Sequence, residues 1–161
     1  PIWQPTGGKV KGALQFDGND DYVSTPFVRD PSQGPFSVFA WVKGGTPGQV
    51  ILSQTTGVNW LMADPSDGAL ATELKSAGRA GKALKSAASV TDGAWHRVGF
   101  VWDGSNRILY VDGIEAAKDT QTALAGTYAG MQIGAGSALA PGTFWSGWID
   151  DVRIYNRVVG P

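Results

Sequence analysis

No cysteine occurs in the chain. Disulfide scaffolds, thiolate metal centres and cysteine nucleophiles are therefore excluded. There is one histidine, His96, so neither an imidazole-rich zinc or copper site nor a pair of catalytic histidines can form. Glutamate is nearly as scarce, with only Glu73 and Glu115. Charge of one sign is missing too: the formal net charge is -1, and no Lys/Arg run exceeds two neighbours. A phosphate backbone needs a basic face, so nucleic acid is not expected as a partner. No apolar run approaches the roughly 20 residues of a membrane span, and membrane insertion is not expected. No leader segment is visible. The chain opens on Pro1 and closes on Val158-Val159-Gly160-Pro161, which reads as one domain excised from a larger protein.

What is abundant is glycine, proline and aromatic side chains. The 161 residues include 23 Gly, 9 Pro, 7 Trp, 6 Phe and 4 Tyr, enough aromatic surface to build a core without disulfides. Five Asp-Gly pairs, beginning at Asp17, Asp67, Asp92, Asp103 and Asp112, supply the positive φ angles of tight turns. Between these signals lie short runs rich in Val, Ile, Phe and Trp. Strands are expected over 13–17, 21–25, 36–43, 49–54, 59–63, 69–75, 84–90, 95–102, 107–112, 114–118, 130–134 and 144–155. This spacing fits an all-β, two-sheet antiparallel sandwich. The run from Phe36 to Val42 is apolar on both faces, as a central strand would be. The clearest hairpin turns at Asp112-Gly113. The stretch 70–88 has helical propensity but is broken by Gly78 and Gly81, and reads as two strands around a 78–81 turn.

Several segments carry a family resemblance. Gly12-Ala13-Leu14-Gln15-Phe16-Asp17-Gly18 with Asp21-Tyr22-Val23 resembles the opening motif of bacterial laminin-G-like, concanavalin A-like domains. Phe36–Val42, then Trp95-His96-Arg97-Val98 with the 107–113 hairpin arm, and finally Gly147 to Arg157, resemble the later core strands in the expected order. The resemblance implies a jelly-roll sandwich with its first and last strands adjacent. It implies far less about activity, since this fold hosts lectins, adhesion modules and hydrolases.

Catalysis finds little support. Glycosidases of this fold need two carboxylates close together, whereas Glu73 and Glu115 fall on separate expected strands. His96 alternates with Val98, Phe100 and Trp102, which makes it a structural histidine near the core. No catalytic residue is expected. The aspartates are more suggestive. Asp17, Asp20, Asp21 and Asp150 lie in the two segments that the resemblance brings together, and clustered carboxylates call for a cation between them. Similar domains hold a structural calcium near such a junction, so Ca2+ is the expected cofactor. The other reading is that Asp17 and Asp20 cap turns while Arg153 or Arg157 neutralises the rest. Asp150 is expected to point inward on the face of Trp148, Val152 and Ile154, with Asp151 on the wetter face.

Among the aromatics, Trp41, Trp95 and Trp102 are expected in the core. Trp60, Trp145, Trp148 and Tyr128 lie near loops or strand ends. Of these Trp60, Trp145 and Tyr128, with Asn59, are the ligand-binding candidates, because sugar rings stack their C–H faces on aromatic planes. The expectation is a monomeric, non-catalytic, carbohydrate-binding module at the cell surface or outside the cell. The alternatives are a structural or adhesion module that binds extracellular protein and a glycoside hydrolase of the same fold.

Overall fold

The structure, a computed structural model, describes residues 1–77 and 82–161. Among these residues it contains no helix. The strands are β1 (Ile2–Gln4), β2 (Ala13–Asp17), β3 (Val23–Ser24), β4 (Phe36–Gly44), β5 (Val50–Gln54), β6 (Asn59–Ala63) and β7 (Ala69–Thr72), followed by β8 (Leu84–Ser89), β9 (Trp95–Trp102), β10 (Asn106–Val111), β11 (Ile114–Thr120), β12 (Met131–Ile133) and β13 (Ser146–Tyr155). Twelve of them answer the expected strands. β1 has no expected counterpart, because three residues are too few to show a period. The expected 78–81 turn lies outside the described residues. The helical propensity around it is overridden: Ala69–Thr72 is buried throughout as β7, and burial outweighs propensity.

Two antiparallel sheets form the sandwich. A seven-stranded sheet runs β1-β2-β13-β4-β9-β10-β11, and a six-stranded sheet runs β3-β12-β5-β6-β7-β8. β2 and β13 are neighbours, with Leu14 opposite Ile149 and Asp17 opposite Ser146. β4 is central, between β13 and β9. Its Phe36, Val38, Ala40 and Val42 enter the core between the sheets with Val98, Phe100 and Trp102 of β9. Trp60 from the facing sheet meets Phe36 at 5.1 Å between ring centroids. The β10–β11 hairpin turns on Asp112 (φ 53°) and Gly113 (φ 83°), as its Asp-Gly pair requires.

Arg107 joins the sheets at one edge. Its guanidinium is buried. It forks onto Asp119 of β11 through Nε and Nη2, and Nη1 donates to the Leu74 carbonyl at 2.6 Å. A buried cation is tolerable only with its donors answered in this way.

The outer face of the seven-stranded sheet is partly clothed. Phe39, Val101, Ile108, Tyr110, Tyr155 and Val159 form a small second core there. The Phe39 ring lies over Gly99, where an added Cβ would come within 2.4 Å of it. The C-terminal segment is tied across this cluster by Ser37, whose Oγ donates to the Arg157 carbonyl and accepts from Val159 N, both at 2.9 Å. At the opposite edge the loop between β1 and β2 folds over the sheet. Its Val10 N–H donates to Asp150 Oδ2 at 2.7 Å.

Candidate functional site

The gap between these two coverings is the most distinctive surface of the molecule. It follows from alternation in β4. Because Phe36, Val38, Ala40 and Val42 face inward, Ser37, Phe39, Trp41 and Lys43 must face outward. Cross-strand pairing then sets Lys43 between two tryptophans, Trp148 of β13 on one side and Trp95 of β9 on the other. One step along the same face, Trp41 stands between Asp150 and Arg97. Direct cross-strand partners place their Cβ atoms about 4.5–5.5 Å apart, and diagonal ones about 7–8 Å. Trp41, Lys43, Trp95, Arg97 and Trp148 are all partly exposed. Lys9 lies over the Trp41 ring at 5.1 Å, and Arg97 over the Phe39 ring at 5.0 Å.

Two expectations are corrected here. Trp41 and Trp95 are not core residues, unlike Trp102, which is. Asp150 and Trp148 face outward rather than inward. The cause is a β-bulge. Asp150 pairs with Trp41 but Phe39 pairs with Arg153, so β13 carries one extra residue, and Asp151 takes a positive φ of 51°. The bulge reverses the parity: Val152 and Ile154 pack on the core, as does Ile149 before the bulge. Asp150 is buried under the 7–11 loop instead, and Asp151 pairs with Arg153 at 2.9 Å.

The expected ligand-binding tryptophans are corrected as well. Trp60 and Trp145 are wholly buried. Trp60 Nε1 donates to Gln54 Oε1 at 3.1 Å, and both rings belong to the core. Asn59 is occupied structurally, its Oδ1 accepting from Ser137 N at 3.0 Å. Tyr128 alone of that set is well exposed, and it pairs with exposed Phe27 at 5.7 Å between centroids. Gln54 builds this rim from beneath. Its Nε2 donates to the carbonyls of Arg29 and Ala129, fixing both aromatic loops.

Asp17, Asp20 and Asp21 do converge, with ligand atoms within 4.8 Å of one another on the surface. Asp150 does not join them. It stands four residues along β13 from Ser146, the partner of Asp17, which is roughly 13 Å of strand. Donors already reach the cluster: Asp17 Oδ1 accepts from Asn19 N at 2.8 Å, and Asp21 Oδ2 accepts from Asp17 N at 3.2 Å. The Asn19 hydrogen bond is the main reason the Asp17 carboxyl is held below its ordinary range. The all-oxygen donor set suits calcium in kind.

His96 occupies the structural position expected of it, at the end of the β9 core face. Its Nδ1 lies 2.8 Å from Asp112 and its Nε2 2.9 Å from Asp92. Burial opposes its charge, but the two carboxylates outweigh that, and its pKa is raised above 6.5. Both ring nitrogens are taken by carboxylates, which leaves neither to activate a nucleophile. Glu73 accepts from Asn59 N at 2.9 Å beside the six-stranded sheet. Glu115 sits on β11 of the other sheet.

A two-sheet antiparallel jelly roll with an aromatic and cationic outer face defines a broad class of proteins. Residues 17–161 match the concanavalin A-like lectin/glucanases superfamily, and the chain belongs to that family. No curated protein sequence matches it. Among solved structures, the binding domain of Paraclostridial Mosquitocidal Protein 1 is similar at a TM-score of 0.74 and 11% identity, covering 98% of this chain and 43% of that one. Domain 4 of AbnA, a GH43 extracellular arabinanase from Geobacillus stearothermophilus in complex with arabinotriose, is similar at 0.64 and 20% identity, covering 96% and 74%. The mouse laminin alpha1 chain domains LG4-5 are similar at 0.67 and 16%, covering 90% and 41%. The chain thus spans less than half of the toxin domain and of the laminin fragment. These identities establish the shared fold alone.

Proposed function

We propose that this domain is a non-catalytic carbohydrate-binding module acting at the cell surface or outside the cell. The observation that carries the reading is the row Trp148–Lys43–Trp95 on the outer face of the seven-stranded sheet. Partly exposed indoles offer planes to sugar C–H faces, and a cation between them offers hydrogen bonds to hydroxyls. An open sheet suits a chain-like ligand better than a small molecule, which needs a concave pocket. The structural neighbours support binding in general, one being a toxin binding domain and another a domain in complex with arabinotriose. In favour of a non-catalytic role, the two glutamates lie apart and both His96 nitrogens are engaged.

The test is a glycan array with the purified domain, repeated with Trp95→Ala. Binding that Trp95→Ala removes, in a variant that still folds, supports the reading. An array with no bound glycan overturns it. For calcium, which the family resemblance implies at this junction, the converging Asp17, Asp20 and Asp21 are the ligand set, without Asp150. Titration calorimetry tests this: a calcium-binding heat that disappears in Asp20→Asn supports it, and no heat with the unaltered protein overturns it.

A further inference from the structure

Resting on that reading, we infer that the ligand is an acidic polysaccharide, with a sugar ring stacked on Trp95 and its anionic groups held by Lys43 and Arg97. The argument is one of charge accounting on a single face. Three carboxylates stand near the row, and all are engaged. Asp112 accepts from Arg97 N at 2.8 Å and pairs with His96. Asp150 accepts from Val10 N beneath the loop, and Asp151 pairs with Arg153. Glu115 stands two strands from Arg97, beyond β10. Among the described residues neither Lys43 nor Arg97 makes a salt bridge, although the molecule carries a formal charge of -1. Lys85, Arg107 and Arg153 each have a carboxylate. Lys43 is diagonal to Arg97, so the two residues stand within about 7–8 Å of each other.

Lys9, above Trp41, adds a third positive group at the edge of the gap. An unpaired cation beside an aromatic plane is satisfied when a ligand brings both an apolar ring face and an anion. A neutral glycan would leave the cations unanswered. The guanidinium of Arg97 offers a fork for a carboxylate or sulfate, and the ammonium of Lys43 a point charge. A single-stranded nucleic acid would also stack and carry charge, but it needs a basic groove that tracks its backbone. The positive groups here are a local cluster.

The experiment measures affinity for polygalacturonate, heparin, neutral dextran and a single-stranded oligonucleotide at low salt. It compares the unaltered protein with Lys43→Gln/Arg97→Gln and with Lys118→Gln, an exposed lysine on β11. The expected result is binding of polygalacturonate or heparin, weakened more than tenfold in the double variant and by rising salt, and unchanged in Lys118→Gln. Which of the two polymers binds distinguishes carboxylate from sulfate. Melting curves confirm that the double variant is folded; should it unfold, Lys43→Gln alone replaces it, since Lys43 caps no ring. Dextran binding that survives Lys43→Gln/Arg97→Gln overturns this inference while leaving a glycan module intact. No binding to any polysaccharide overturns both, and preference for the oligonucleotide overturns the choice of ligand.

Discussion

Trp60 and Trp41 show how differently one residue type can behave in this sandwich. Trp60 is fully enclosed against Phe36 and has its indole N–H answered by Gln54. Truncation to alanine leaves a large cavity and an unpaired Gln54 Oε1, so Trp60→Ala is expected to cost about 3–5 kcal/mol in urea unfolding. Trp41 lies on the outer face under Lys9 and is only partly buried. Trp41→Ala is expected to cost less than about 2 kcal/mol in the same measurement. Gly147 is the opposite case, a site where adding atoms does the harm. Its φ is 148°, and a Cβ would stand 2.2 Å from the Lys43 carbonyl oxygen. Gly147→Ala forces β13 away from β4 and is expected to lose more than about 1 kcal/mol. If its unfolding midpoint stays unchanged, that close approach is absent.

At the scale of elements, the bulge in β13 decides what Asp150 does. Its carboxylate fastens the β1–β2 loop through Val10 N, with Gly8 close against it. Asp150→Ala removes that part-buried hydrogen bond, at about 1 kcal/mol, whereas Asp150→Asn keeps an acceptor oxygen and should be nearly neutral. Since Asp150 is remote from Asp17, the loss should be equal in calcium and in chelator. A loss seen only in calcium would place Asp150 among the metal ligands after all.

His96 links three elements, tying β9 to the turn before it and to the β10–β11 turn through Asp92 and Asp112. Its folded pKa is raised above 6.5. The stabilisation is therefore complete below the unfolded value and is lost as pH rises through the folded one. Melting temperatures taken between about pH 5 and about pH 9 should fall more steeply with rising pH for the unaltered protein than for His96→Gln. Parallel curves would show that the bridge contributes nothing to folding.

On the scale of the whole molecule, charge and coverage together delimit the proposed binding surface. The loop between β1 and β2 and the C-terminal segment each cover one part of the outer face, the loop packing Gly7 against the Trp148 ring, and Lys43, Trp95 and Arg97 lie in the part they leave open. If calcium binds only the folded state at the Asp17 cluster, a hundredfold excess over Kd adds about 2.7 kcal/mol of stability. Melting should then shift upward with calcium in the unaltered protein and not in Asp20→Asn.

The sequence by itself determined twelve of the thirteen strands seen among the described residues, and the sandwich. Asp-Gly turns and β-branched or aromatic runs are local signals, and local signals survive without coordinates. It also determined the burial of β4 on both faces, from its unbroken apolar run, and the structural role of His96, from alternation along β9. Tertiary structure decided the rest. A bulge inserts a single residue and reverses every side chain after it, and nothing in Asp150-Asp151-Val152 announces where it falls. The exchange of roles between Trp41 and Trp60 has a related cause. The apolar run at Phe36–Val42 hides which of its faces meets the other sheet, and only Ser37 and Lys43 at its ends mark the outward side. Which tryptophans are open to a ligand depends on the packing of the opposing sheet and of the two terminal segments, contacts between residues more than a hundred positions apart. Those distances are set by the closed sandwich and not by any local pattern.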